Sequence, residues 1–299
     1  MRIGINGGGG INCLEDALEQ ARAAGRDGFP SYWLSQITGI DALTALAVIG
    51  REVPDIELGT AVVPTYPRHP LALAVQALTV QAATGGRLVL GIGPSHKMLV
   101  EGMLGYSFDR PYSHTREYNQ ALSTLLRGEP TDFQGEQITA RGKVGVEAQP
   151  PPVLIAGLGP RMLALAGREA DGTVTWMCGL KTVGQHIVPR IRAAAEAAGR
   201  PAPRIVVGLP VCVTDEPARA RSQAAETLAL YGGLPSYRAM LDREGAKGPE
   251  DIVVIGNEGQ VRESLEELSA SGATDLRATE LCPTEDDAQR TRALLRELR

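Results

Sequence analysis

The sequence predicts an α/β protein, a (β/α)8 TIM barrel with helical insertions after strands 4 and 7. Strand and helix patterns alternate along the 299 residues, which implies a parallel sheet with right-handed crossovers. Eight such units fit a closed barrel of this length, and an open doubly wound sheet is the alternative architecture. Because no linker rich in Ser or Pro divides the chain, we expect one domain over residues 1–299.

The amino-terminal third of the chain contains four predicted strands and the helices between them. The strands are Arg2–Asn6, Ser31–Leu34, Ile56–Val63 and Arg87–Ile92, and the helices are Asn12–Ala24, Asp41–Ile49 and His69–Ala83. Asn12 is expected to cap the first helix, and Pro70 to lie in the first turn of the third. The fourth strand is continuously apolar, as expected where both faces of a strand are covered.

Two long segments without strands interrupt the second part of the chain. The first holds a helix near Ser113–Leu126 and ends in a Pro-rich stretch at Gln149–Pro152, and the second is the helix-rich segment Glu216–Glu244. Around them we predict strands at Val153–Ala156, Gly172–Met177, Ile205–Thr214 and Thr274–Leu281, and helices at Pro160–Glu169, Val183–Ala198, Gly259–Ser271 and Glu285–Leu298. In a barrel, this order places the chemistry on the loops that follow the strands.

Composition excludes several classes of function. Thirty Lys and Arg residues against 35 Asp and Glu give a net charge of −5, which has the wrong sign for a nucleic-acid binder. The four cysteines are widely spaced without a Cys-x-x-Cys pair, which excludes a zinc ribbon and favours a reducing compartment. The sequence shows no signal-peptide pattern and no run of 18 apolar residues. We therefore expect a cytoplasmic protein without a membrane partner.

Glycine-rich turns follow several predicted strands. Gly7–Gly10 follows the first strand and is interpreted either as a close approach of ligand to backbone or as a flexible turn. In LIAGLGPRM, Leu154–Met162, a buried strand passes through Gly157, Leu158 and Gly159 into a helix that starts at Pro160. Free amides at such a helix start bind phosphate, and Gly159, Arg161 and Met162 would supply the donors. An ordinary tight turn is the alternative.

His96 is the histidine best placed for proton transfer. It follows a buried strand in LGIGPSHK, within glycine-rich company, and histidine titrates near neutrality. His69 and His186 are interpreted as surface or capping residues, whereas His114 could reach the site through the first insertion. Trp33 and Trp176, near predicted strand ends, are interpreted as core. The chain has no G-x-S-x-G, no H-E-x-x-H and no Cys/His cluster, so no metal ligand is predicted.

Four segments in order resemble the luciferase-like monooxygenase superfamily, and within it the coenzyme F420-dependent oxidoreductases. They are LGTAVVPTYPRHP at Leu58–Pro70, GRLVLGIGPSH at Gly86–His96, VLIAGLGPRMLALAGREADG at Val153–Gly172 and ASGATDL at Ala270–Leu276. The resemblance covers nearly the whole chain. It implies the same (β/α)8 fold as the strand count.

The resemblance also implies a cofactor site. A cis Ala61–Val62 peptide would form a bulge behind a flavin-like ring, and backbone amides at Gly157–Met162 would hold the cofactor phosphate. Ser35 and Gln36 stand where some deazaflavin enzymes carry Asp-His, and His96 stands where some carry a catalytic Glu. The implied catalytic residues are His96 and Gln36. The implied cofactor-binding residues are Asn6, Ser35, Ala61, Val62, Gly93, Ser95, Gly157, Leu158, Gly159, Arg161 and Met162.

The implied activity is that of an oxidoreductase using coenzyme F420. It would transfer a hydride between deazaflavin C5 and a small or medium organic substrate, namely an alcohol or carbonyl, an imine or an activated alkene. His96 would move the proton while Gln36 polarises or orients. The alternatives are an FMN-dependent monooxygenase of the same superfamily, using reduced flavin and oxygen, and a non-catalytic flavin-binding barrel. Members of the superfamily are often homodimers, so a homodimer is the partner expected besides the substrate.

Overall fold

Eight parallel strands close into a barrel in a computed structural model that describes residues 1–8 and 10–299. The barrel strands are β1 (Arg2–Gly8), β2 (Ser31–Leu34), β3 (Glu57–Thr60), β4 (Leu88–Gly93), β5 (Val153–Ala156), β6 (Gly172–Trp176), β7 (Arg204–Val213) and β8 (Asp275–Glu280). Neighbours pair in chain order, and β8 pairs with β1, where Gly4 lies opposite Arg277. The predicted TIM barrel is confirmed, and the open doubly wound sheet is wrong.

Helices surround the barrel in the predicted order. They are α1 (Leu14–Arg26), α2 (Ala42–Glu52), α3 (Pro70–Ala83), α4 (Lys97–Gly102), α5 (Pro111–Leu126), α6 (Pro160–Glu169), α7 (Leu180–Thr182), α8 (Val188–Ala197), α9 (Pro217–Gly233), α10 (Pro235–Glu244), α11 (Glu258–Ala270) and α12 (Glu285–Leu298). A π-helical turn, Val183–Ile187, joins α7 to α8, and a 3-10 helix, Pro249–Ile252, follows α10. In the described part of the chain, no helix is long and apolar enough to cross a membrane.

Both insertions lie where they are predicted. The first, after β4, contains α4, α5 and a two-stranded antiparallel hairpin of Thr131–Gln134 and Thr139–Gly142. The second, after β7, contains α9 and α10 and returns through a short strand, Val254–Gly256, which pairs with β7 outside the barrel.

Two local predictions about helix starts have different outcomes. The predicted cap by Asn12 is wrong, because α1 begins at Leu14 and Cys13 occupies the cap position without a side-chain hydrogen bond. The interpretation of His69 as a capping residue is confirmed, since its Nδ1 accepts a hydrogen bond from Leu71 N at 3.2 Å. A polar residue before a helical pattern indicates that a cap is near, but backbone geometry decides which residue occupies it.

The third strand is interrupted. The sequence predicts one strand over Ile56–Val63, whereas β3 ends at Thr60 and the chain resumes pairing with β4 only at Val63–Pro64. The Ala61–Val62 peptide between them is cis, which confirms the expected isomer at this bond. The interruption places Ala61 and Val62 at the carboxyl end of the barrel strands.

The barrel interior is filled by apolar side chains from five of the strands. Trp33, which is fully buried as predicted, packs there with Val89, Leu154, Val174 and Val206. The glycine of β3 makes room for the indole, because a Cβ at Gly59 would lie 2.0 Å from Trp33 Cε3. The interior of the barrel is therefore a packed core, and the space for a ligand lies at the carboxyl ends of the strands.

An ionic cluster closes the amino-terminal end of the barrel. Arg204 on β7 donates to Glu57 on β3 and to Asp275 on β8, with shortest N–O distances of 2.6 Å for each pair. Although burial alone would lower the pKa of Arg204, these hydrogen bonds raise it above its ordinary value. The cluster joins three strands that are far apart in the sequence.

Replacing Arg204 with Ala is expected to reduce the free energy of unfolding by about 2 kcal/mol, because two carboxylates would lose their shortest hydrogen bonds. Arg2 remains near both carboxylates, at 3.4 and 3.6 Å. Urea unfolding measures this loss. Arg200→Ala is the matched control, since the Arg200–Asp171 pair is about half exposed and such pairs contribute about 1 kcal/mol at most. Equal effects of the two substitutions would contradict the assignment.

Candidate functional site

A largely apolar cavity of about 1270 Å³ lies at the carboxyl end of the barrel, where the sequence predicts the chemistry. The two insertions contribute α4, the start of α5 and the start of α10 to its walls. Most of the residues predicted for the site line it, namely Ala61, Val62, Gly93, Ser95, His96, Gly157, Leu158, Gly159, Arg161 and Met162. Asn6, Ser35 and Gln36 do not.

The interrupted strand forms one wall of the cavity and is held from behind. Ser35 Oγ donates to Ala61 O at 2.6 Å, and Gln36 N donates to Val62 O at 3.3 Å. The side chain of Gln36 is directed to α2, where its Oε1 accepts from Ala42 N at 3.2 Å. Ser35 and Gln36 therefore fix the position of the wall in this structure, and their side chains do not line the cavity.

Glycine keeps the neighbouring strand flat against this wall. A Cβ at Gly91 would lie 2.0 Å from Thr60 O, and Gly91 N donates to Thr60 Oγ1 at 2.8 Å. A Cβ at Gly93 would approach Val62 Cγ2 to 3.1 Å and Ala156 Cβ to 3.0 Å. A planar ligand can therefore approach the backbone between the ends of β3, β4 and β5.

The turn from β5 into α6 presents backbone donors to the cavity. Gly159 is the N-cap of α6, so no side chain caps the first N–H groups of this helix, and Pro160 follows it. The first N–H groups of a helix have no intrahelical acceptor, so those of Gly159, Arg161 and Met162 are available to an anion. A Cβ added to Gly159 would meet no atom within 4 Å, so this face of the turn is open.

His186 holds this turn in place through a hydrogen bond to its backbone. Its Nε2 lies 2.7 Å from Leu158 O, to which it donates, and the residue is 3% exposed. The interpretation of His186 as a surface or capping residue is wrong, because the π-helical turn directs its side chain inward. Burial lowers the pKa of His186, which keeps the ring neutral at neutral pH. A helical pattern of period 3.6 does not reveal a π turn, so this role of His186 had no sequence signal.

His96 lies at the start of α4 and borders the cavity. It occupies the N-cap position without a side-chain capping bond, which leaves its ring nitrogens free for other partners. The ring is half-buried, and its centroid lies 5.5 Å from that of Tyr237 on α10. Burial lowers the pKa of His96 below its ordinary value, so the ring is neutral at pH 7 and is able to accept a proton.

Two further predicted residues lie away from the cavity. Asn6, near the end of β1, donates from Nδ2 to Thr279 Oγ1 at 2.8 Å. His114 on α5 is buried behind the interrupted strand, where it stacks on Tyr66 with ring centroids 3.9 Å apart and lies 3.0 Å from Thr65 Oγ1. It does not line the cavity. Of the run Gly7–Gly10, Gly9 lies outside the described residues, and Gly7 is required by packing because its Cβ would lie 2.2 Å from Tyr32 Oη.

Burial of His114 makes stability depend on pH. Burial lowers its pKa from the ordinary 6.5 to about 4, with an opposing effect from Glu117. Between these pH values the unfolded chain binds the proton and the native chain does not, so stability present above pH 6.5 is lost as the pH falls toward 4. The loss is about 3 kcal/mol. We expect His114→Gln to lose less stability than wild type between pH 7 and pH 4.5 in urea unfolding, whereas parallel losses would contradict this origin.

The cavity also contains residues that sequence reasoning missed. Tyr237 and Arg277 reach it from α10 and β8, and Trp176, interpreted as core, contributes its indole to the lining. The predicted strand TDLRATEL contains Arg277, and this arginine could have indicated a binding role. Arginine is almost never fully buried unless it is paired with another group. Tyr237 had no such signal, since its position depends on how the second insertion folds over the barrel.

Comparisons with known proteins agree with this architecture. A family model described as luciferase-like monooxygenase matches residues 2–275. A 5,10-methylenetetrahydromethanopterin reductase from Methanolobus tindarius is 30% identical over 75% of this chain and 69% of its own length. A Mycobacterium tuberculosis protein provisionally named as a coenzyme F420-dependent oxidoreductase is 28% identical over 92% of this chain and 93% of its own length.

Solved structures with the same fold use two kinds of cofactor. An F420-dependent secondary alcohol dehydrogenase, in complex with an F420–acetone adduct, has a TM-score of 0.84 with 17% identity, covering 100% of this chain and 99% of that one. The oxygenating constituent of 3,6-diketocamphane monooxygenase from Pseudomonas putida, in complex with FMN, has a TM-score of 0.78 with 17% identity, covering 99% and 96%.

The family match extends from β1 to the first residue of β8 and includes every element that lines the cavity before that strand. The names of the relatives support an oxidoreductase. The resemblance of the sequence to its superfamily is thereby confirmed. The chain belongs to the luciferase-like monooxygenase family.

Proposed function

We propose that this protein is an F420-dependent oxidoreductase that exchanges a hydride with a small or medium organic substrate, such as an alcohol or carbonyl, an imine or an activated alkene. The observation that carries the proposal is the combination, within one apolar cavity, of a flat wall and an open helix start. The wall is formed by Ala61, Val62 and Gly93, and the helix start by Gly159–Met162. A ring system with a phosphate-bearing side chain has the chemistry that complements both.

The residues of the cavity fit such a cofactor. Gly159 leaves open the space that a Cβ would fill, and the amides that follow it supply donors for a phosphate oxygen. Arg161 adds a positive charge at the rim, where its guanidinium lies 4.1 Å from the ring centroid of Tyr112. Coenzyme F420, when bound, supplies a carbon that donates or accepts a hydride, and the protein supplies position and electrostatics.

His96 would manage the proton that accompanies the hydride. Because its ring is neutral at pH 7 and is not used in capping α4, it is able to accept the hydroxyl proton of an alcohol. Ser35 and Gln36 would act indirectly by holding the carbonyl groups of Ala61 and Val62. We assign Gln36 this supporting role in place of polarising the substrate, because its side-chain oxygen is used by α2.

An FMN-dependent monooxygenase is the second candidate, favoured by the FMN-bound relative of similar fold. The open turn at Gly159 would accommodate the phosphate of either cofactor. The alternatives separate on binding: the purified protein is titrated with F420 and with FMN, and complex formation is followed by fluorescence. We expect tighter binding of F420, and hydride exchange with at least one member of an alcohol and carbonyl panel. Tighter binding of FMN, with oxygen-dependent turnover, would replace the proposal by the monooxygenase.

A further inference from the structure

Arg277 is a buried cation for which a glycine on the neighbouring strand makes room. It lies in the middle of β8 and is 2% exposed. Its neighbours on the adjacent strands are Gly4 and Gly208. A Cβ at Gly208 would lie 2.6 Å from the guanidinium carbon of Arg277, so the absence of a side chain there creates the space for the guanidinium group.

The charge of Arg277 is not balanced within the described part of the chain. Its one hydrogen bond runs from Nη2 to Thr175 O at 3.3 Å, and Nε has no partner. Burial lowers the pKa of Arg277 to about 10, which still leaves the group charged at pH 7. Taking a cation out of water without a counter-charge is strongly unfavourable, so a buried arginine without a carboxylate partner indicates that an anion binds there.

Two other arginines lie on the barrel strands, Arg2 and Arg204, and both have carboxylate partners. Arg204, on β7 at the amino-terminal end, is paired with Glu57 and Asp275. Asp275 lies on β8 only two residues before Arg277, and residues two apart on a strand share a face. The fold therefore supplies carboxylates to the cation that closes the barrel and none to the cation that borders the cavity.

A second donor without a partner lies beside Arg277. The guanidinium carbon is 5.0 Å from the ring centroid of Trp176, and Nε1 of that indole is buried without a hydrogen-bond acceptor. Both residues line the cavity. A planar fork of N–H groups next to an indole N–H matches a carboxylate, which offers two oxygens and a full negative charge.

We infer that Arg277 and Trp176 form a subsite for the carboxylate of an organic acid that is the substrate. This inference rests on the proposed function, because it assigns the cofactor to the other side of the same cavity. The phosphate turn follows β5 and the flat wall lies at β3 and β4, whereas Arg277 lies on β8, diametrically opposite β4 in the eight-stranded barrel. The cavity is otherwise mainly apolar, so the rest of the acid is hydrocarbon in character.

The subsite is tested by binding, with pairs of probes that have the same shape and differ in charge. The acids acetate, hexanoate and benzoate are each compared with their amides by calorimetric titration of the wild-type protein at pH 7, with and without F420. We expect at least one acid to bind more tightly than its amide by about tenfold or more. Arg277→Met should remove this preference and leave amide binding unchanged. Arg141→Met, which removes an exposed cation of the insertion hairpin, should preserve it.

Thermal unfolding shows whether the variants are folded and adds an independent readout. Since Arg277→Met removes an uncompensated buried charge, its melting temperature should equal or exceed that of wild type. If Arg277→Met does not fold, Arg277→Lys keeps the charge and loses the fork, and should weaken acid binding while leaving amide binding unchanged.

Three results would overturn the inference. The first is that no acid binds saturably or in preference to its amide. The second is that Arg277→Met keeps the acid preference. The third is that Arg277→Met lowers the affinity for F420, which would assign Arg277 to the cofactor. A wild-type protein that selects acids but does not bind F420 would refute the proposed function and leave the subsite standing.

Discussion

His96→Ala is expected to lower turnover by about 10²–10⁴-fold, with little change in cofactor affinity. The ring borders the cavity and is neutral at pH 7, so in the proposed oxidation of an alcohol it would accept the hydroxyl proton. Turnover is measured with an alcohol that supports reduction of F420 in the panel, under single-turnover conditions. Cofactor affinity is measured separately by fluorescence.

His96→Gln distinguishes proton transfer from positioning, because glutamine keeps hydrogen-bonding groups but does not titrate. If His96 is the base, the wild-type oxidation rate falls as the pH drops below the lowered pKa of the ring, at values under 6.5, since the protonated ring no longer accepts a proton. This dependence should be missing from both variants. A glutamine variant with the full rate and the wild-type pH profile would show that His96 only positions a ligand.

Gly159→Val is expected to abolish cofactor binding or weaken it by about 10²-fold or more, with the fold intact. A branched side chain at the N-cap of α6 would occupy the open space and keep a phosphate away from the amides of Arg161 and Met162. Loss of a charge-assisted interaction with several amide donors is worth a few kcal/mol, which corresponds to this change. Fluorescence titration with F420 measures the affinity.

Gly145→Val is the matched control for this substitution. Gly145 is exposed, does not line the cavity, and a Cβ added there meets no atom within 4 Å. The melting temperatures of both variants should stay close to that of wild type, because neither new side chain meets an obstacle in the protein. Unchanged F420 affinity of Gly159→Val would show that this turn does not hold the phosphate.

The barrel could be predicted because its signals are local. Short apolar segments such as Ser31–Leu34 and Val153–Ala156 coincide with the predicted strands, and both insertions follow the strands expected. The turns at Gly93 and Gly159 were found for the same reason, since a glycine beside a strand end is visible in the sequence alone. The interruption of β3 at Ala61 is not a property of alanine or valine, and only the family resemblance indicated it.

The parts of the site that were missed depend on contacts between distant segments. Tyr237 is brought to His96 by α10, which lies 141 positions later in the chain. The side chain of Gln36 is used by the backbone of α2, a competition that the sequence does not display. His186 is turned inward by one extra residue in a helical turn. Each of these outcomes is decided by packing after the helices have formed.

The pairing of β1 with β8 bears on how the protein folds during synthesis. The amino-terminal strand pairs with its second neighbour only after the ribosome has synthesised residues 275–278. The ion pair between Arg204 and Asp275 also forms only then. Until then Ile3 and Ile5 belong to an open sheet with an unpaired edge, which is a site for aggregation. Contacts of such long sequence separation form late and slowly. We therefore expect the first strand to need protection from intermolecular pairing until β8 has been made.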